Sequence, residues 1–168
     1  MEKKYELLQD DVKIIGSKKL YRIKAVRNFA DVKKGDLGGY IEREDNLDHD
    51  GHAWVCGNAR VCDDARVYGN ACVCGDACVC GDAHIYGNAC VCGDGDYLYV
   101  KGIGSAFRGT TAYRTWDNGV GIVCGCFTGT LGEFEKKVQS THGESKYAKE
   151  YQLCIQIIKL HFGIEAEK

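Results

Sequence analysis

The chain lacks three features that would assign it to a broad class at once. No apolar run approaches the ~20 residues that a helix needs to span a bilayer, so we expect no membrane partner. The formal net charge of only −2 excludes a strongly basic nucleic-acid binder by composition. The charged start at Met1 leads into no apolar segment, so no secretory signal peptide is predicted.

Cysteine, by contrast, is abundant, with 11 in 168 residues. In a small secreted protein this number would indicate a disulfide scaffold. The count is odd, however, and eight of the cysteines occupy positions of a repeat that could hold any small side chain. Together with the missing signal peptide, this favours a reduced cytoplasmic protein.

The repeat covers residues 53–94 as seven hexapeptides without insertion. They read AWVCGN, ARVCDD, ARVYGN, ACVCGD, ACVCGD, AHIYGN and ACVCGD. The small Ala and the β-branched Val or Ile two positions later are predicted to face inward, since β-branched side chains suit a half-buried strand. Gly-Asn and Gly-Asp are turn pairs, because Gly adopts positive φ freely and Asn and Asp tolerate it. Each hexapeptide is therefore predicted to form a short strand and a corner.

This pattern resembles the hexapeptide repeat of left-handed parallel β-helices, in which three hexapeptides make one triangular coil. Ile41 and Leu47 fall in register with Ala53, so residues 41–94 would make three coils of three hexapeptides each. The predicted fold is mainly β: a short left-handed parallel β-helix of about three coils, an N-terminal β cap and a C-terminal α+β unit with a hairpin and two helices. The predicted domains are the cap at 1–40, the repeat at 41–96 and the C-terminal unit at 97–168.

Positions three hexapeptides apart are predicted to stack at the spacing of β-strands. One side of the repeat then carries apolar side chains that are unusual on a solvent-facing surface. We interpret this side as the subunit interface of a homotrimer, with packing against the C-terminal region as the alternative. Its residues are Trp54, Cys56, Cys72, Cys74, Cys90 and Cys92.

A cysteine metal site is the competing explanation for Cys72, Cys74, Cys78 and Cys80. Cys-x-Cys on an extended strand places both sulfurs on one outward side, and the second pair lies around a corner from the first. Tetrahedral zinc sites favour Cys-x₂₋₄-Cys spacings that wrap the ion. We therefore interpret these cysteines as small packing residues, and expect no metal and no cofactor.

Beyond residue 96 the periodicity stops, and strands are predicted at 97–100, 110–116 and 120–127. Asn118-Gly119 is a favoured type I′ hairpin pair, which would place Trp116 opposite Gly121. Thr130 and Glu133 match a capping box that opens a helix, which Gly143 can close. A second helix is predicted from about Ser145 to Phe162.

The predicted ligand site lies in this C-terminal unit. Arg114 and Trp116 stand beside small residues, which leaves room for a flat ligand stacked on the indole with its phosphate or carboxylate on the guanidinium. The glycine-rich loop before Arg108 and the junction between the helices would add cations and backbone donors. The alternative is a packed sheet with an edge Arg and solvated lysines. The candidate residues are Ser105, Arg108, Arg114, Trp116, His142 and Lys146.

The resemblance to hexapeptide-repeat proteins implies that an acyltransferase must be considered. Such enzymes present a catalytic His beside a coenzyme groove, often with a loop inserted in the repeat. Here the repeat is uninterrupted and His84 lies at a regular position, so no catalytic residue is predicted. β-helix carbonic anhydrases need three zinc-binding histidines from adjacent subunits, two of them five residues apart, and His49, His52 and His84 provide no such pair.

The plan of a Gly-Gly-Tyr-Ile-Glu segment, a near-perfect repeat and an appended Gly-Cys-Phe segment also resembles proteins of phages and prophages. This resemblance implies a non-enzymatic homo-oligomer in a bacterial cytoplasm. We predict a phage anti-defence protein that sequesters an anionic, nucleotide-type signalling molecule. The alternatives are a hexapeptide-type acyltransferase and an inhibitor or scaffold that acts by protein–protein contact.

Overall fold

The computed structural model describes residues 2–164 and divides the chain into two compact units that meet in sequence at Asp94 and Gly95. In the part it describes, neither helix combines the length and the apolar character needed to cross a bilayer.

The N-terminal unit begins with three antiparallel strands, β1 (Tyr5–Ile15), β2 (Lys18–Ala25) and β3 (Leu37–Ile41). A tight turn at Gly16, with φ of 60°, joins β1 to β2 and pairs Ile15 with Lys18. Ile23 and Ala25 of β2 are buried on one face with the less buried Lys24 between them, because successive residues of a strand point to opposite faces. A 3₁₀ helix at Glu44–Asn46 leads into the repeat.

The hexapeptides form seven strands of two residues each. Their second residue is always Val or Ile and is fully buried, as is the Ala that precedes each strand. The strands pair in parallel with the strand three hexapeptides further on, as Trp54 does with Cys72, so the predicted register of the repeat is confirmed. The strands are β4 (Trp54–Val55), β5 (Arg60–Val61), β6 (Arg66–Val67), β7 (Cys72–Val73), β8 (Cys78–Val79), β9 (His84–Ile85) and β10 (Cys90–Val91).

The predicted fold class is nevertheless wrong. Instead of a left-handed β-helix with a separate cap, the described chain consists of several small separate sheets and two helices. The N-terminal unit has a mixed sheet of order β1-β2-β3-β5-β8, a parallel sheet β10-β7-β4 and a parallel pair β6-β9. The expected cap joins the first sheet, because β3 presents an open edge to β5 and pairs Ile41 with Val61.

The C-terminal unit is a four-stranded antiparallel sheet of order β11-β12-β13-β14 with two helices. Its core lies between the sheet and the helices, where Ile122, Phe134 and Ile158 are buried. The strands are β11 (Tyr97–Ile103), β12 (Arg108–Arg114), β13 (Val120–Cys124) and β14 (Phe127–Thr130). The helices are α1 (Leu131–His142) and α2 (Lys146–Phe162).

Both helices begin and end where the sequence indicates. The Thr130 hydroxyl accepts from the Glu133 backbone N–H, and the Glu133 carboxylate accepts from the Thr130 N–H, so the capping box is confirmed. Ser145 caps α2 in the same manner, by accepting from the Ala148 N–H. Gly163 ends α2 in the left-handed conformation at φ of 68°.

The hairpin between β12 and β13 differs from its prediction. The turn is not the two-residue Asn118-Gly119 type, because the Thr115 N–H donates to the Gly119 carbonyl and a three-residue loop lies between them. The Asp117 carboxylate accepts from the Gly119 N–H, and Asn118 takes the left-handed φ of 62°. The register therefore pairs Tyr113 with Gly121, three residues from the predicted pairing.

An odd shift of register exchanges the two faces of β12. Ala112 now faces the helices together with Ile122 and Cys124 of β13. Thr111 and Tyr113 belong to the opposite face.

Candidate functional site

The site of the C-terminal unit is a pocket of about 200 Å³ between the sheet and α1. Three of the six predicted ligand residues line it, namely Ser105, Arg108 and His142. Lys137 of α1 adds a second fixed positive charge that the sequence analysis did not single out. Among the described residues that line this pocket there is no carboxylate. The other lining residues are Ala106, Cys124, Cys126, Phe127, Phe134, Val138, Thr141 and Tyr151.

The loop between β11 and β12 brings Arg108 to this pocket. Gly104, at φ of 75°, donates its N–H to a carboxylate oxygen of Glu150 at 2.7 Å, which ties the loop to α2. The guanidinium of Arg108 then lies against Gly125, where a Cβ atom would come within 2.7 Å of it. Gly125 thus leaves the space that the arginine side chain occupies.

The packing of α1 against α2 positions the residues on the other side of this pocket. His142, in the last turn of α1, stacks on the ring of Tyr151 with centroids 5.4 Å apart and planes at 27°. Tyr151 is buried and packs edge-on against Phe134. Burial, followed by the hydrogen bond with the Cys124 thiol, raises the pKa of the Tyr151 phenol well above its usual value. The phenol therefore stays neutral at physiological pH, and the charge on this side of the pocket comes from the neighbouring cations.

The remaining three predicted ligand residues lie elsewhere in the unit. Arg114 donates from Nη2 to the Phe162 carbonyl at 3.4 Å and lies over that ring, where a cation suits the C-terminal end of α2. Trp116 is at the tip of the hairpin loop and is 61% exposed. Lys146 extends over Tyr147 in the first turn of α2. The predicted stacking surface of Arg114 and Trp116 is thus not formed, because the three-residue loop changes the register.

Sequence reasoning missed a larger pocket of about 520 Å³ in the N-terminal unit. Tyr68 and His84 meet there, with Oη and Nδ1 3.3 Å apart, and burial lowers the pKa of His84. The available signal was the register of the repeat, which places Arg66 beside His84. Acidic and basic side chains both line it, so its charge does not select an anion. Its lining residues are Glu44, Asp45, Leu47, Asp48, His49, Arg66, Val67, Tyr68 and His84.

The predicted interface residues form two different environments. Trp54 is only 7% exposed, and its ring packs edge-on against Tyr5 and Phe29, so its own chain covers it. The five cysteines form a separate cluster on the sheet β10-β7-β4, which we call the thiol face. Its members are Cys56, Cys72, Cys74, Cys90 and Cys92.

The thiol face departs from the prediction that the cysteines are reduced, since Cys74 and Cys92 form a disulfide. Parallel in-register pairing explains it, because these two cysteines, three hexapeptides apart, have their Cα atoms only 4.5 Å apart, within the range a disulfide spans. The sulfurs of Cys56, Cys72 and Cys74 lie within 4.8 Å of one another.

A scan against protein-family models gave no match, and a search of curated proteins gave none. We therefore infer the function from the sequence and from the geometry within each unit.

Proposed function

We propose that this protein binds an anionic small molecule of the nucleotide type, without turning it over, at the pocket of Arg108, Lys137 and His142. One observation carries the proposal: two fixed cations and an imidazole line the same pocket, and no carboxylate is among its described lining residues. Charges of one sign along a cleft attract a ligand of opposite charge.

The lining chemistry favours a phosphate-bearing ligand over a simple carboxylate. A guanidinium presents a planar fork of donors that matches phosphate oxygens, while lysine adds a compact charge. The exposed edge of the stacked His142–Tyr151 pair and the half-buried ring of Phe127 offer aromatic surface to a base. Phosphate recognition next to aromatic surface is the combination that a nucleotide requires.

The size of the pocket limits how much of the ligand it encloses. At about 200 Å³ it is smaller than the ~300–1,000 Å³ of pockets that bury a whole drug-sized ligand. The phosphate and the adjoining sugar would therefore enter, and the base would lie at the rim.

The wider role we propose is that of a phage anti-defence protein that sequesters a signalling nucleotide of the bacterial host. This role rests on the resemblance of the repeat and its appended segments to phage and prophage proteins. Sequestration depends on the affinity for the ligand and on the number of binding sites, and it requires no catalysis. A homo-oligomer would supply several pockets per particle. Light scattering of the purified protein measures the oligomeric state directly, and a monomer would remove this part of the proposal.

Calorimetry with cyclic nucleotides and ADP-ribose tests the binding proposal. Arg108→Ala is the informative variant, and Arg114→Ala is its matched control because it removes the arginine at the other end of the same strand. A hydrogen bond between charged groups is worth about 1.5–3 kcal/mol, so Arg108→Ala should weaken binding about tenfold or more. Arg114→Ala should bind as the unmodified protein does.

Three results would contradict the proposal: no binding of any of these nucleotides, equal losses in both variants, or conversion of the bound nucleotide detected by chromatography. Turnover of acetyl-CoA that His84→Ala abolishes would favour an acyltransferase instead.

A further inference from the structure

The thiol face combines a rigid backbone with sulfurs close to one another. Val55, Val73 and Val91 are fully buried beneath it, in register across β4, β7 and β10. The Cys56 N–H donates to the Val73 carbonyl at 2.9 Å, and the Cys74 N–H donates to the Val91 carbonyl at 2.8 Å. The cysteines therefore project from positions that the core and the strand ladder both hold in place.

The arrangement differs from the one considered on sequence alone. Cys78 and Cys80 are not part of the close sulfur group, and Cys56, from the hexapeptide that stacks beside that of Cys74, takes their place. Adjacent strands lie about 4.8 Å apart, so in-register cysteines form a ladder of sulfurs. The ladder supplies ligands from neighbouring strands instead of a Cys-x₂-Cys knuckle.

We propose that the reduced thiol face binds a single thiophilic cation, such as Zn²⁺ or Cu⁺, through the thiolates of Cys56, Cys72 and Cys74. Thiolates are the ligands that these ions prefer. Zn–S bonds of about 2.3 Å place tetrahedral sulfurs roughly 3.8 Å apart, so sulfurs that now lie within 4.8 Å of one another need to approach by at most about 1 Å. Rotation about χ1 of half-buried cysteines supplies such a change.

The Cys74–Cys92 disulfide makes binding depend on redox state. A thiol reductant opens it in two exchanges: one thiolate attacks a sulfur to give a mixed disulfide, and a second attacks the mixed disulfide. The products are the thiols of Cys74 and Cys92 and one disulfide of the reductant. On metal binding each coordinating thiol forms a sulfur–metal bond and releases its proton to solvent. Cys92 is next to Cys74 in the ladder, with Cα atoms 4.5 Å apart, but it lies on the far side of Cys74 from Cys56 and is not one of the proposed ligands.

Metal titration of the full chain tests this site. The protein is reduced with excess dithiol, transferred to oxygen-free buffer, and titrated with Zn²⁺ against a chromophoric chelator and with Cd²⁺ for thiolate-to-metal charge-transfer absorption. We expect binding of one ion per chain, and its loss when the Cys74–Cys92 disulfide is re-formed. Altering an outer-shell partner alone costs about 10–100-fold in metal affinity, so removing the Cys72 ligand in Cys72→Ser should cost at least about 100-fold.

Cys78→Ser is the matched control, because Cys78 holds the same hexapeptide position as Cys72 one unit later and lies outside the close group. It should bind Zn²⁺ as the unmodified protein does, and circular dichroism verifies that both variants keep their strands. Failure of the reduced protein to compete for Zn²⁺ overturns the proposal. Equal weakening by both variants, or unchanged binding by a folded Cys72→Ser, overturns it as well.

Discussion

The cysteines of the thiol face and two cysteines of the C-terminal unit lie in different surroundings. In the N-terminal unit, the strand residues that reach the core are Val and Ile, and the thiol face points outward from the sheet. In the C-terminal unit, Cys124 and Cys154 are buried with the helices. The first unit places its cysteines by a repeating register, and the second places them by the fit of a sheet against two helices.

The comparison shows two ways in which a chain determines which residues meet. Every repeat strand is only two residues long, yet the spacing of three hexapeptides determines its partner. The strands of the C-terminal unit are longer, but the loop between β12 and β13 decides their register. The strand register of a repeat therefore does not depend on the conformation of a single corner, whereas the register of a hairpin depends on its loop.

The largest loss of stability is expected for a substitution of Asn46, at the start of the repeat. Asn46 is fully buried, and its amide donates to the carbonyls of Asp63 and Ala65 at 3.0 and 2.8 Å. In the regular repeat a backbone N–H binds the equivalent alanine carbonyl, as the Arg60 N–H binds Ala77. Asn46→Ala removes this substitute donor and should lower the free energy of unfolding by about 4 kcal/mol.

Urea denaturation measures this loss. Asn58→Ala is the control, since this exposed corner asparagine should change stability by less than about 0.5 kcal/mol. Equal effects of the two variants would show that the register of the repeat needs no anchor at its start.

The corners of the repeat provide a second test, with glycines in equivalent conformations. Gly75 has φ of 63°, and a Cβ atom there would lie 2.5 Å from the Cys92 carbonyl oxygen. Gly87 has φ of 66°, but its Cβ would meet nothing within 4 Å. Gly75→Ala should cost about 3 kcal/mol, and Gly87→Ala only about 1 kcal/mol from the left-handed backbone. Similar midpoints in urea for the two variants would contradict a contact between stacked corners.

A pH titration compares a thiol in the core of the C-terminal unit with one at its surface. Burial raises the pKa of Cys154 from 9.0 to about 11. Because the unfolded chain loses this proton first, the contribution of Cys154 to stability is complete below about pH 9 and declines towards pH 11. The decline should reach about 2 kcal/mol.

Cys154→Ala should therefore flatten the pH dependence of unfolding between about pH 9 and pH 11, whatever its effect at neutral pH. Cys126→Ala, at an exposed position of the same unit, is the control for the removal of a thiol. An unaltered slope in Cys154→Ala would mean that the thiol is not shielded from solvent.

The smallest effect concerns the hairpin loop. Asn118 adopts φ of 62°, which asparagine tolerates and alanine does not. Asn118→Ala should cost about 1 kcal/mol, while Asn118→Gly should be neutral or slightly stabilising. Thermal unfolding measures both. A stabilising alanine would contradict the left-handed conformation of residue 118 in this loop.

Parts of the candidate site were accessible from the sequence and parts were not. Ser105, Arg108 and His142 were identified by their residue types near a loop and a helix end, and they do line one pocket. Arg114 and Trp116 were assigned through a hairpin register, and that register is wrong by three residues. The Asp117 carboxylate accepts from the Thr115 hydroxyl and from the Gly119 N–H, and these hydrogen bonds stabilise the three-residue loop.

The sequence by itself determined the inward Ala and Val or Ile of each hexapeptide, the register of the repeat and both helices, because each follows from a period or a cap within a few residues. Tertiary structure alone decided which sheets the short strands join. It also decided which cations share a pocket with His142. These outcomes depend on open strand edges, loop hydrogen bonds and packing between distant residues, and none of them has a local signature in the chain.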